Sequence, residues 1–202
     1  MILPGGTQAI VYILSSFGCA KAPKRIALRP VRIIPVWHAV NAMPHKIRMK
    51  TIFAFSDIHE GTLPPRLLAV AEESDYVFFL GDGAARMGDL ALHKGFFAVK
   101  GNCDYLPLPE ETVTEVEGVK ILLTHGHRYG VKTDLLSLAL RAEELGCRLV
   151  FFGHTHTAEI VEHGAVTLVN PGSLTHPSFG TPTYAYTVIT EGRAFTKLVP
   201  AL

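Results

Sequence analysis

Five short apolar runs, each closed by a small polar cluster, constrain the fold of this 202-residue chain more than any other feature of its sequence. They are TIFAF from Thr51, DYVFFL from Asp75, FFAVK from Phe96, VKILLT from Val119 and CRLVFF from Cys147. Runs this short, bounded by glycine and polar residues, read as buried strands. Between the first two lies PPRLLAVAEES, a helix whose prolines fall in its first turn, where a missing N–H costs little. Before the fifth lies TDLLSLALRAEEL, a helix with Thr133 or Asp134 as its cap and Gly146 as its stop. TVTEVEG alternates like an exposed strand, and beyond residue 157 AEIVEHGAVTLVN, TYAYTVIT and AFTKLVP read as antiparallel strands. The predicted class is α/β, with two packed sheets and helices outside.

The clusters carry the chemistry. SDIH offers Asp57 and His59, LGDG offers Asp82, GNCD offers Asn102 and Cys103, LTHGH offers His125 and His127, and FGHTH offers His154 and His156. From Asp57 through Asp82, Asn102 and His125 to His154 the steps are 25, 20, 23 and 29 residues, about one strand-loop-helix unit each. Strands of a mostly parallel sheet deliver their C-terminal ends to one edge, where open α/β folds bind ligands. Side chains alternate along extended chain, so Asp57 with His59, and His154 with His156, are expected to point the same way as pairs. Taken singly, Asp57 could be a strand cap, Asp82 and Asn102 turn residues beside glycine, and Cys103 a small half-buried side chain. Four histidines following apolar strands have no packing reason to be there, and dismissing all the clusters together requires five coincidences. They read as one metal site.

Imidazole, carboxylate and amide ligands without thiolate suit Mn²⁺, Ni²⁺, Fe or Zn²⁺ better than Mg²⁺ or Cu(I), and Mn²⁺ is the expected occupant. The seven candidates Asp57, His59, Asp82, Asn102, His125, His154 and His156 are too many for one ion. Two ions about 3.5 to 4 Å apart, bridged by one carboxylate, use them well and suit an in-line phosphoryl displacement. A water held by both would lose its proton near neutral pH and become the nucleophile.

Composition separates the chain into two parts. With 48% hydrophobic and 18% charged residues it is globular. Residues 1–48 hold seven of the nineteen Lys and Arg and no acid, which leaves residues 49–202 with twelve basic and eighteen acidic groups, a net of −6. The apolar stretch Ala9 to Ala20 is shorter than the roughly 20 residues of a membrane span and lacks a basic segment before it. Residues 1–48 are therefore expected to be an unstructured or spurious basic extension, with the working domain over 49–202. Cys19, Cys103 and Cys147 form no C-x-x-C pair and no disulfide framework, which fits the cytoplasm. No membrane partner is expected, long nucleic acid is disfavoured by the acidic domain, and a homo-oligomer is left open.

The set Asp-x-His, Gly-Asp, Gly-Asn-x-Asp, a histidine-bearing strand end and Gly-His-x-His resembles the calcineurin-like metallophosphoesterase superfamily. GNCD, LTHGH, GHTH and NPGS are similar to its small bacterial and archaeal phosphodiesterase branch. The resemblance covers about residues 49–200 and implies two stacked mixed β-sheets flanked by helices, acting on a small phosphodiester. It implies that Asp57, His59, Asp82 and His156 hold one ion and Asp82, Asn102, His125 and His154 the other, with Asp82 bridging. Many members carry a histidine at the position of Cys103 that helps protonate the leaving group, whereas the branch often has cysteine. Asn102, Cys103 and His127 are thus the candidate catalytic residues, and His127 is the other candidate proton source. Where the branch often has a basic residue after NPGSL, this chain reads THPSFGTP, which puts substrate selection in question. The alternative is a protein-binding scaffold of the same fold, like the retromer subunit, in which ligand histidines are replaced; here all seven ligands are present.

Overall fold

The computed structural model describes residues 48–201, so the expected extension over 1–48 lies almost wholly outside the described residues. In the first sheet β1 (Met49–Phe55), β2 (Tyr76–Phe79) and β3 (Phe96–Ala98) run parallel. In the second sheet β4 (Glu111–Val116) pairs antiparallel with β5 (Val119–Thr124), which runs parallel to β6 (Leu149–Phe151). Next in the chain, β7 (Ala158–His163) and β8 (Val166–Pro171) form a hairpin, and β8 also lies parallel to β6. Finally β9 (Thr183–Thr190) returns to the first sheet antiparallel to β1, and β10 (Arg193–Pro200) closes its edge. The strand orders are β10-β9-β1-β2-β3 and β4-β5-β6-β8-β7.

The apolar runs lack alternation because both faces of these strands are buried. On β1, Ile52 and Ala54 join the cluster between the sheets, with Phe78, Ile121, Leu123 and Phe151, while Phe53 and Phe55 pack outward. Outside the first sheet helix α1 (Pro65–Glu73) covers that outward face with Leu67 and Ala71. Outside the second sheet α2 (Leu136–Glu144) places Leu138, Ala139 and Ala142 on Leu122, Val150 and Leu168. The result is a helix-sheet-sheet-helix sandwich, as the patterning predicts. Pro65 stands at the first position of α1, as expected. α2 starts later than its sequence suggests, at Leu136, whose N–H donates to Asp134 Oδ1 at 2.9 Å. Among the described residues no helix is long and apolar enough to cross a membrane.

One difference in topology matters for function. The strands after residue 157 are not a simple antiparallel meander, because Leu149, Val150 and Phe151 of β6 pair in parallel with Thr167, Leu168 and Val169 of β8. The C-terminal end of β8 therefore joins those of β1, β2, β3, β5 and β6 in supplying the site, as its loop contacts below show.

Phe151 and Phe78, from opposite sheets and both without exposure, meet edge to face with ring centroids 5.5 Å apart. Phe151→Ala is expected to cost about 3 to 5 kcal/mol in urea unfolding, with an unchanged slope. A loss below about 1 kcal/mol would show that the sandwich does not depend on this contact.

Candidate metal centre

The loops after β1, β2, β5, β6 and β8 are tied to one another largely through backbone groups. Asp57 N–H donates to Gly81 O at 3.0 Å and Ile58 N–H to Asp82 O at 2.7 Å, joining the β1 and β2 ends. Gly153 N–H donates to His125 O at 3.1 Å, joining the β5 and β6 ends. Across the sandwich His154 N–H donates to Asp57 Oδ2 at 3.2 Å, and Leu174 N–H donates to Ser56 O at 3.4 Å. Two glycines allow this crowding: a Cβ on Gly101 would lie 2.1 Å from Asp82 Oδ1, and one on Gly153 would lie 2.1 Å from Ser56 Oγ. Any side chain at either place would push the carboxylates apart.

Four of the seven candidate ligands have left-handed backbone, Asp57, Asp82, His154 and His156, with φ of 57°, 62°, 69° and 56°. For residues with a Cβ this conformation costs roughly 1 to 2 kcal/mol each. The two other described non-glycine residues with positive φ, Glu117 and Glu191, precede glycines in hairpin turns, where the turn requires it. At the site no such turn accounts for the strain, which the surrounding hydrogen bonds hold in place. These angles also replace the expected alternation as the reason for the geometry. β1 ends at Phe55, before Asp57, and GHTH is not extended. His156 turns toward Asp57 and His59, whereas His154 stands with its ring centroid 5.1 Å from His125.

The side chains converge with acceptor facing acceptor. Asp57, Asp82 and His125 are buried, and Asp57 Oδ1 lies 3.1 Å from His156 Nε2, 3.8 Å from His59 Nε2 and 4.0 Å from His125 Nε2. His125 Nε2 also lies 3.4 Å from Asp82 Oδ2 and 3.1 Å from Asn102 Oδ1. Each of these two histidines has its other nitrogen committed: His125 Nδ1–H donates to Leu80 O and His156 Nδ1–H to His176 O, both at 2.7 Å. In those neutral tautomers Nε2 presents a lone pair to the carboxylates, the arrangement of a metal-ligating histidine. Asp57 Oδ1 is buried without any hydrogen bond. An unpaired buried carboxylate oxygen is costly, and a cation among these lone pairs removes the cost. The residues therefore fit a metal. Asp57, His59 and His156, then Asp57, Asp82 and His125, then His59, Asp82 and Cys103 each bring ligand atoms within 4.8 Å of one another.

The electrostatics follow from the same crowding. Burial would raise the Asp82 carboxyl, but His125 and the Cys103 N–H, 2.7 Å from Oδ1, outweigh it and hold it well below the usual carboxylate range. Burial opposes a proton on His125, yet Asp82 and Asp57 raise it above its ordinary value, as Asp57 raises His156. His154 is pushed down to about 4 by burial and by His125. Burial and the Asp82 charge push the Cys103 thiol up, and burial with His125 pushes His127 down. His127 stands beside His125, ring centroids 5.5 Å apart, with Nε2 3.6 Å from Glu110 Oε2.

Sequence reasoning gave no role to the residues that hold these ligands. Asp104 is the main one: Oδ2 accepts from the N–H groups of Asp82 at 2.8 Å and Gly101 at 2.9 Å, and Oδ1 from Gly83 at 2.9 Å and Ala84 at 2.8 Å. One carboxylate thus clamps two ligand loops. Its signal is the last letter of GNCD, an Asp two places after an Asn turn. At the end of β8 Asn170 Nδ2 donates to Gly153 O at 3.0 Å, and in the loop after it Ser173 Oγ donates to Asp57 O at 2.7 Å.

Residues 49–192 match the family model of the calcineurin-like phosphoesterase superfamily domain. The probable metallophosphoesterase YsnB of Bacillus subtilis is 38% identical over 106 residues, 52% of this chain and 62% of that protein, so the chain spans less than two thirds of that relative. Phosphodiesterase YfcE of Escherichia coli is 30% identical over 164 residues, 66% of this chain and 84% of that protein. A solved structure of a predicted phosphoesterase from Streptococcus pneumoniae aligns with a TM-score of 0.68 at 28% identity, covering 76% of this chain and 91% of that one.

Asp104→Asn replaces one acceptor oxygen by an NH₂ group that faces two N–H donors without changing shape. It is expected to cost about 2 to 4 kcal/mol in denaturant unfolding of the metal-free protein and to weaken divalent-metal binding in calorimetry. Unchanged stability would show that the clamp is dispensable.

Proposed function

Because this chain belongs to the calcineurin-like phosphoesterase superfamily, we propose that it is a phosphodiesterase working with two divalent ions, Mn²⁺ first and Ni²⁺, Fe or Zn²⁺ as alternatives. The observation that carries this reading is the convergence of Asp57 Oδ1, buried and without a hydrogen bond, with the Nε2 atoms of buried His125 and of half-buried His59 and His156. Asp57, His59, Asp82 and His156 would hold one ion, and Asp82, Asn102, His125 and His154 the other. When bound, such a pair would supply a hydroxide nucleophile and would neutralise charge on the phosphoryl oxygens.

The chain's own groups do the rest. Leu80 O and His176 O fix the tautomers of His125 and His156, so neither imidazole has to reorganise to bind. The Cys103 N–H fixes Asp82, and Asn102 Nδ2 donates to the Cys103 sulfur at 3.1 Å, which fixes its Oδ1 toward His125. Leaving-group protonation falls to weak acids. In the metal-free protein desolvation and Asp82 push the Cys103 thiol up, and burial and His125 push His127 down, so neither is tuned as a strong proton donor. Diesters with good leaving groups suit such a site better than monoesters do. The alternative is a protein-binding scaffold of the same fold, and the presence of all seven candidate ligands, held by carbonyls and Asp104, supports the enzyme reading over it.

Chelation should abolish hydrolysis of bis(p-nitrophenyl) phosphate, and Mn²⁺ or Ni²⁺ should restore it; full activity in metal-free protein would overturn the reading. Asp82→Ala should lose both ions by elemental analysis while His156→Ala loses mainly one. Two ions retained in Asp82→Ala would refute the bridging role.

Cys103→His should raise monoester turnover relative to diester turnover, within the roughly 10² to 10⁴ that a general acid typically contributes. If His127 is instead the donor, His127→Ala cuts diester hydrolysis with metal content intact. Silence of both variants would refute this account of protonation.

A further inference from the structure

A cavity of about 460 Å³ opens beside the candidate metal centre, lined by His59, Asp82, Cys103, Arg86, Tyr105 and Leu106. Arg86 is the one permanently cationic side chain on its wall. The guanidinium donates from Nη1 to Gly61 O at 3.1 Å and from Nη2 to His59 O at 2.8 Å. Both acceptors are neutral carbonyls of the loop that carries His59, so they hold the group in place without cancelling its charge. The ion pairs of Lys50, Arg128 and Arg141 do not involve it. A guanidinium has five N–H donors in a planar fork, and these two bonds leave the others free for a ligand.

The partner of that fork is an anion. Over residues 49–202 the chain carries a net −6, and Arg86 sets a held positive charge on the cavity that Asp82 and Asp104 also line. Phosphate fits the fork through paired charge-assisted bonds. Tyr105 is 100% exposed and Leu106 44% exposed on the same wall, and neither exposure serves the core. A tyrosine ring at the mouth of an anion-binding cleft is a stacking face for a planar base.

We propose that the substrate is a nucleotide with a second phosphate, held with its reacting phosphoryl group at His59 and Asp82, its second phosphate on Arg86 and its base against Tyr105 and Leu106. This deepens the phosphodiesterase reading and rests on it. Hydrolysis consumes one water: its oxygen bonds to phosphorus, the bond from phosphorus to the leaving oxygen breaks, and that oxygen takes up a proton.

Calorimetry on the metal-loaded protein tests the assignment with adenosine 5′-(α,β-methylene)diphosphate, AMP and methylenediphosphonate. The diphosphate analogue should bind at least about tenfold tighter than AMP, the lower end of what a charge-assisted pair contributes. Arg86→Gln should abolish that advantage, and Arg86→Lys should keep part of it. Tyr105→Ala should weaken both adenosine ligands and spare methylenediphosphonate. In kinetics, Arg86→Gln should lower kcat/KM for diadenosine tetraphosphate about tenfold more than for bis(p-nitrophenyl) phosphate, which has one charge. Equal affinity for AMP and the diphosphate analogue overturns the proposal, and so does an equal loss on both substrates, which would make Arg86 only a staple for the His59 loop. If no diester is hydrolysed with any metal while the Arg86-dependent preference persists, the phosphodiesterase reading fails and the anion site stands.

Discussion

A carboxylate with no accessible surface, Asp57, lies where the two sheets meet, and the arrangement around it follows from keeping it there. Its carbonyl accepts from Ser173 and Thr175, its Oδ2 accepts from the His154 N–H, and its own N–H reaches Gly81 O. These bonds draw on four loops and both sheets. Its Oδ1 has no donor at all. A buried carboxylate oxygen in that condition favours any state in which a cation reaches it, so a divalent ion bound there would add to the stability of the fold. A ligand that binds only the native state adds stability in proportion to the logarithm of its concentration over Kd.

The supports are mostly backbone, and backbone amides and carbonyls at strand ends do not reorganise when a ligand arrives. Leu80 O and His176 O each select the tautomer of one histidine, and the four N–H groups on Asp104 fix the loops of Asp82 and Asn102. The left-handed backbone at Asp57, Asp82, His154 and His156 is the strain that remains after this fixing. It turns side chains two residues apart to different parts of the site, which extended chain cannot do. His154 thus stands beside His125 and His156 beside Asp57, although one residue separates them.

Arg86 shows how specificity can be built from the same loops without touching the ligand cluster. Its carbonyl acceptors belong to His59 and Gly61, so the second anion site and the metal centre share one rigid segment. A shift of that segment would move both together, which ties the position of a bound anion to that of the reacting group.

Much of the protein is legible in the letters. Apolar runs without alternation mark strands buried on both faces, the 3-to-4 spacing marks the two helices, and polar clusters at strand ends mark the residues brought together. These signals are local, because burial and side-chain type are written residue by residue. What tertiary structure alone decided is non-local. The parallel pairing of β8 with β6 places Ser173 and the His176 carbonyl at the site, although the strand pattern there reads as a meander. The reversal of Asp57 and His154 into left-handed backbone depends on hydrogen bonds from partners 116 and 97 residues away. Asp104 became a clamp and Arg86 a held, uncancelled cation only when distant N–H and carbonyl groups arrived beside them. A hydrogen-bond partner far along the chain leaves no periodic trace in the sequence, so residue identity could nominate the ligands but not the geometry that makes them a site.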